Sequence, residues 1–225
     1  MYSQRRRVSA YRTDLENLRA TFFFRKMKEG IEMTERRERE GKHLYEEYAY
    51  VLDFLPFGKP GMRGKYRMGA VVQLIGERYF TLLEANVKPG VTLKPLDKVY
   101  VGKESRKEIA YILGRIGYDE LTANAKMELE SAIELIVQKR EKWFVDFFNT
   151  ARPITPRMHM LELIPGIGKK YMWNILNERE KKPFESFEDL QQRINIPSPL
   201  KLITKRVIEE LAGESKYRLF TRPSG

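Results

Sequence analysis

Ile164-Pro165-Gly166-Ile167-Gly168-Lys169-Lys170 lies between two stretches of helical periodicity, and its reading decides how the C-terminal half is built. Ahead of it, Thr155 suits an N-cap and Pro156 the first helical position, where a missing N–H costs nothing. Met158, Leu161 and Leu163 then give a short apolar helix that Pro165 ends. After it, residues 171–179 resume a helical pattern, with Trp173 or Ile175 and Leu176 on the apolar side. Gly166 and Gly168 are expected to take positive φ and to let bare backbone approach a ligand. The N–H groups of the second helix's first turn lack intrahelical partners and so can face an anion. Lys169 and Lys170 add positive charge at that point, and Ile167 sits between the two glycines.

The hairpin is followed by Glu178-Arg179-Glu180-Lys181-Lys182-Pro183-Phe184 and then Glu185-Ser186-Phe187-Glu188-Asp189-Leu190. Together these segments resemble a helix-hairpin-helix module. The resemblance implies a glycine hairpin that binds DNA or RNA phosphates without reading sequence, and modules paired through a short capped connector helix. Ser186 to Asp189 fits that connector as a Ser-x-x-Asp capping box, with the acid favourably placed against the helix dipole. A second module would run over 190–196, a turn at 196–199, and 200–211. Its turn, Ile196-Pro197-Ser198-Pro199, has prolines where the family has glycines. Proline offers no N–H and cannot take positive φ, so this degenerate copy reads as a packing partner for the first.

Composition narrows the classes. The chain has 225 residues, enough for one large domain or two small ones with real cores. It has no cysteine, which excludes disulfides, zinc ribbons and thiol nucleophiles and fits a reducing, cytoplasmic setting. No apolar run approaches the roughly 18 residues of a membrane span, and no secretory leader pattern opens the chain. The formal net charge of +11 favours polyanionic partners.

Residues 1–43 form a basic extension, expected to be partly helical, opening on Arg5-Arg6-Arg7 with Phe22-Phe23-Phe24 in its middle. Two readings of it stay open, a basic arm on nucleic acid and an extension frayed in isolation. From Tyr48 the periodicity changes. Tyr48-Ala49-Tyr50-Val51-Leu52-Asp53-Phe54-Leu55 reads as a buried strand, followed by a loop rich in glycine and proline. Segments 66–75 and 79–85, joined by Gly76-Glu77-Arg78, form a hairpin pattern, and 97–102 gives a further strand. Four or five short strands within 44–104 predict a small OB-like β-barrel, with an SH3-like barrel as the runner-up. Ser105-Arg106-Lys107-Glu108 reads as a capping box launching a helix through Ile109, Ile112 and Leu113. A long helix is expected over about 122–148, with Trp143, Phe144, Phe147 and Phe148 as core contacts. Residues 217–222 alternate and suggest a last strand. The fold class is therefore α+β: an OB-like barrel, then an all-helical domain over 105–225 that ends in the paired modules.

Taken together, Tyr50-Val51-Leu52-Asp53-Phe54-Leu55-Pro56-Phe57-Gly58, Lys94-Pro95-Leu96-Asp97-Lys98-Val99-Tyr100-Val101-Gly102 and the hairpin at 165–170 resemble an archaeal family, domain of unknown function 655. The resemblance covers about residue 45 to the end. It implies a nucleic-acid-binding role, with RNA favoured over DNA, and no particular reaction.

Two groups of residues are candidates for that role. At the hairpin, Gly166, Ile167, Gly168, Lys169 and Lys170 would hold phosphate. In the loop after the first strand, Lys59, Arg63, Lys65, Tyr66 and Arg67 put cations and an aromatic where an OB barrel flanks its ligand. An ordinary solvated turn explains that loop equally well. Catalysis has little support. Asp189 lies where hairpin-module glycosylases place an aspartate, but a capping role accounts for it. His43 and His159 lack metal-site spacing, and there is no Walker-type loop. The expectation is a protein with no enzymatic activity, metal or cofactor that contacts RNA or DNA through phosphates. The competing expectation is a protein-docking scaffold in transcription or ribosome assembly.

Overall fold

The first strand, β1 (Tyr48–Leu55), carries β-branched and aromatic residues on both faces because both faces are covered. The computed structural model describes residues 45–58 and 69–222. The expected extension at 1–43 and the loop residues Lys59, Arg63, Lys65, Tyr66 and Arg67 lie outside the described residues. The described residues from Glu46 onward form one compact unit.

Strands β1, β2 (Val71–Gly76), β3 (Leu82–Val87), β4 (Lys98–Tyr100) and β5 (Ile109–Arg115) make a sheet in the order β4-β1-β2-β3-β5. Every neighbouring pair is antiparallel. The sheet curls into a half-barrel consistent with an OB-like barrel, and the fold is α+β. Ala49, Val51, Val72, Leu74, Leu83, Ala85, Val99 and Ile109 form one apolar cluster on one side of the sheet. Tyr50, Leu52, Ile75 and Leu82 face the other way, into a core shared with the helices. A register shift between Val51 and Asp53 puts neighbouring residues Leu52 and Asp53 on this same helix-facing side.

The helix expected from Ser105 is instead strand β5. Its first residues are not a helix cap: Arg106 Nε donates to the carbonyls of Val101 (3.3 Å) and Gly102 (2.8 Å), and Lys88 N–H donates to the Glu108 carbonyl at 2.9 Å. Pairing with β3, through two register shifts, outweighs the local capping signal.

Helix α1 (Ala123–Lys139) starts against the sheet. The Thr122 hydroxyl donates to Asp53 Oδ2 at 2.6 Å and accepts from Ala125 N–H at 3.0 Å. Gln73 accepts from Thr122 N–H and donates to Glu84, so a buried polar row fixes that helix end. The long helix expected over 122–148 is two, α1 and α2 (Glu141–Thr150), broken at Arg140 with φ −111°. The Arg140 guanidinium donates to the carbonyls of Glu77 (2.6 Å) and Arg78 (3.0 Å), tying the break to the β2–β3 turn.

Thr155-Pro156 does not open a helix either. It turns a two-stranded ribbon, β6 (Pro153–Thr155) and β7 (Met158–His159). Proline suits a turn's second position as well as a helix's first. A 3-10 turn over Met160–Leu163 follows. Then come α3 (Lys169–Lys181), α4 (Phe187–Ile194) and α5 (Pro199–Leu211). Residues 217–222 form no strand. Their N–H groups find a carboxylate: buried Glu210 accepts from the N–H groups of Leu219 (2.7 Å), Phe220 (3.1 Å) and Thr221 (2.9 Å). Phe220 then seats among Trp143, Phe144 and Phe147. Among the described residues no helix is long and apolar enough to cross a membrane.

Candidate nucleic-acid interface

Ile164 and Ile167 are both buried and hold the two ends of a tight turn in the core. Between them, Pro165 takes the second position and Gly166 the third with φ +88°, and Ile167 N–H closes on the Ile164 carbonyl at 3.0 Å. This is the type II pattern, which needs glycine at its third position. A Cβ on Gly166 would also meet Leu202 Cδ2 of α5 at 3.2 Å, so α5 backs the turn.

Gly168 differs from expectation. Its φ of −82° and ψ of −179° are extended, and a Cβ there would meet nothing within 4 Å. Its role is that of an N-cap without a side chain. The Gly168 carbonyl accepts from Met172 N–H at 2.9 Å, starting α3. No side chain caps the helix, and no acidic residue lies in its first turn. The N–H groups of Lys169, Lys170 and Tyr171 therefore have no partner within the helix. Lys169 and Lys170 are exposed and pair with no carboxylate among the described residues. Placing two cations at the positive end of a helix dipole is locally unfavourable, and a bound anion relieves it.

Most of the arginines nearby have internal work. Arg179 donates to the carbonyls of Phe148 (2.9 Å) and Ala151 (3.0 Å) at the end of α2. Arg193 donates to the carbonyls of Glu178 (2.7 Å) and Lys182 (2.9 Å) at the end of α3 and lies over the Phe184 ring. Arg206 is buried and bonds Glu210 at 2.8 Å. Excess charge at the hairpin thus belongs to lysines.

His159 supports the turn from the other side. Its Nδ1 accepts from Leu161 N–H at 3.1 Å, and Glu162 Oε1 accepts from His159 N–H at 2.9 Å. Burial, helped by the Arg179 charge, pushes the imidazole below its ordinary range, although Glu162 opposes this. Ser186 caps α4 as expected, its Oγ accepting from Asp189 N–H at 3.0 Å, but α4 is one helix where a connector at 186–189 and a separate helix over 190–196 were expected. The returning bond goes one residue earlier, from Glu185 N–H to Asp189 Oδ2 at 3.1 Å. Just ahead of the turn at 196–199, Asn195 ends α4 in the left-handed region (φ 56°), and Pro199 opens α5 behind Ser198, whose side chain makes no cap bond.

Of the expected site residues, the structure thus gathers Gly166, Gly168, Lys169 and Lys170 on one exposed surface and turns Ile167 inward. Trp173 was expected on the apolar side as an alternative to Ile175. It is 58% exposed, while Met172 and Ile175 carry the burial. The signal was present: Lys170, Trp173, Asn174 and Asn177 share helical spacing with one another. Among the described residues no three metal-capable side chains cluster.

The family described as protein of unknown function, DUF655, matches residues 45–222, a span that takes in the sheet, the hairpin and the five described helices. The chain belongs to that family. A DUF655 protein of known structure, Af1531 from Archaeoglobus fulgidus, is 49% identical and superposes with a TM-score of 0.72, covering 79% of this chain and all of that one. The uncharacterized protein MJ0038 of Methanocaldococcus jannaschii is 43% identical over 180 residues, 79% of this chain and 81% of the relative.

Proposed function

We propose that this DUF655 protein binds nucleic acid, RNA in the first instance, through phosphate contacts at a helix-hairpin-helix formed by the turn and α3, without catalysing a reaction. One observation carries the reading: a helix begun by glycine, with no capping side chain, no acid in its first turn, and two exposed lysines there that pair with no carboxylate among the described residues. Natural helices favour the opposite, a capping side chain and acids at that end, and an anionic ligand accounts for the departure. Backbone N–H groups and lysines do not distinguish bases, so binding is largely blind to sequence. Lys59, Arg63, Lys65, Tyr66 and Arg67 are proposed as further contacts to the same ligand.

Replacing both Lys169 and Lys170 with Ala tests this. Affinity should fall alike for unrelated sequences. The slope of log affinity against log salt should shrink by about 1.4 on a single strand or about 1.8 on duplex DNA. Affinity and slope that stay at wild-type values would move the contact away from the hairpin, and binding to none of the polymers would favour a protein-docking role instead.

A further inference from the structure

On the reading that the hairpin holds phosphate, we infer that Trp173 is a stacking platform for an unpaired base, which makes the preferred ligand single-stranded nucleic acid. In helix α3, residues advance by about 100° each, so Trp173 falls about 40° from Lys169 and about 60° from Lys170, between the two and one turn further on. The Cα–Cβ bonds of a helix tilt toward its N-terminus, so the indole leans back over the turn that carries both lysines. Asn174 and Asn177, both exposed, continue the same arc and offer amides to base edges.

The exposure of the indole needs an explanation, because Met172 and Ile175 already give α3 its buried side. Trp173 is the one exposed large apolar side chain on this helix, and helical spacing puts Lys169 and Lys170 one turn before it and Asn177 one turn after it. A protein interface would present several apolar side chains together, with charge excluded from the centre. An exposed aromatic between two exposed lysines matches the pattern of single-strand binding, in which the cations follow the backbone and bases stack on the ring. In a duplex the bases are already stacked and their faces are closed to an indole. Phosphate contact at the hairpin does not distinguish the two forms, but a base on Trp173 does.

The test compares wild type, Trp173→Ala, Trp173→Phe and the Lys169→Ala/Lys170→Ala variant by fluorescence anisotropy. The probes are labelled oligouridine, oligothymidine and a duplex of matched length. Trp173→Ala is expected to weaken single-strand binding by about 5- to 150-fold, the range for losing one stacked base, and to leave duplex binding within about twofold. Trp173→Phe should recover much of the loss, because phenylalanine keeps a face to stack on. The tryptophan emission of wild type should be quenched by oligouridine, and that of Trp173→Phe, which retains only Trp143, should not. Equal losses on single strand and duplex, or none on either, would overturn the stacking assignment. If the double lysine variant still loses affinity in that case, phosphate binding at the hairpin stands without it. Were wild type to bind no polymer, the proposed function itself would fall, and this inference with it.

Discussion

Substituting Gly168→Asp sets stability against binding at a single atom group. The backbone there is already that of an N-cap (φ −82°, ψ −179°), and a side chain would enter open space. An aspartate would accept from the free N–H groups of the first turn and place negative charge at the positive helix end. A capping side chain is worth a few tenths of a kcal/mol over glycine, and a charge at the helix N-terminus roughly 0.3–1 kcal/mol. Lys169 and Lys170 beside it would add to the gain. The total is about 0.5–1.5 kcal/mol, which raises the melting temperature of a chain this size by about 1–6 °C. On the proposed function, the same change occupies the N–H groups that would face phosphate and adds repulsion. Losing one charge-assisted hydrogen bond costs about 1.5–3 kcal/mol, and an exposed like charge at ~4 Å about 1 kcal/mol more. Affinity should therefore fall by about two to three orders of magnitude. Calorimetry and anisotropy on the same preparation check both halves. A variant that is more stable yet binds as wild type does would refute the hairpin as the contact. A variant that is less stable would refute the uncapped N-terminus.

Gly166→Ala should destabilise by about 1–3 kcal/mol, because φ +88° is strained for alanine and its Cβ would press on Leu202; denaturant titration reads the loss. For Glu210→Gln the expected cost is about 2–4 kcal/mol, since buried Arg206 loses its closer charged partner and keeps only Glu209 at 3.9 Å, and an amide would face the N–H groups of 219–221. Hydrogen exchange should show those three amides losing protection, and unchanged protection would contradict the strap at the C-terminus. His159 gives a pH dependence. Its folded form resists protonation relative to the ordinary value near 6.5, so the unfolded chain binds more protons below that point. Stability from this group is complete above pH ~6.5 and declines as pH falls below it. A urea midpoint lower at pH 5.5 than at 7.5, with the step reduced in His159→Asn, is the expected result.

Much of this fold was legible because local and distant preferences agree. Strand β1 matches its expected span, since a short run of β-formers between turn signals has few alternatives. The glycine turn before α3 and the serine cap of α4 were equally legible, written in neighbouring residues, whereas α4 itself joins an expected connector and an expected separate helix into one. Misreadings fell where a short motif suits two structures. Ser105-Arg106-Lys107-Glu108 has the spacing of a capping box, but pairing with β3 made Ile109–Arg115 a strand. Thr155-Pro156 suits both a helix start and a ribbon turn, and the β6–β7 pairing made the choice. Arg140 breaks the long helix for the sake of carbonyls 62 and 63 residues away, which no local window contains. Residues 217–222 alternate like a strand, yet Glu210 supplies the hydrogen bonds a neighbouring strand would have. At the candidate site the chemistry was legible and its geometry less so. Gly166 needs positive φ and Gly168 does not, and Trp173 stands in solvent because Met172 and Ile175 suffice to bury the helix.

The central claim is that the hairpin surface holds a nucleic-acid backbone. Fluorescence anisotropy of the purified protein against labelled single-stranded RNA, duplex RNA and duplex DNA, each at two salt concentrations, tests it most directly. The account predicts micromolar or tighter binding, strongest for the single strand, that weakens by about 0.7 log unit per log of salt for each phosphate neutralised on that strand. Absence of binding to all three at low salt, or binding indifferent to salt, would contradict it.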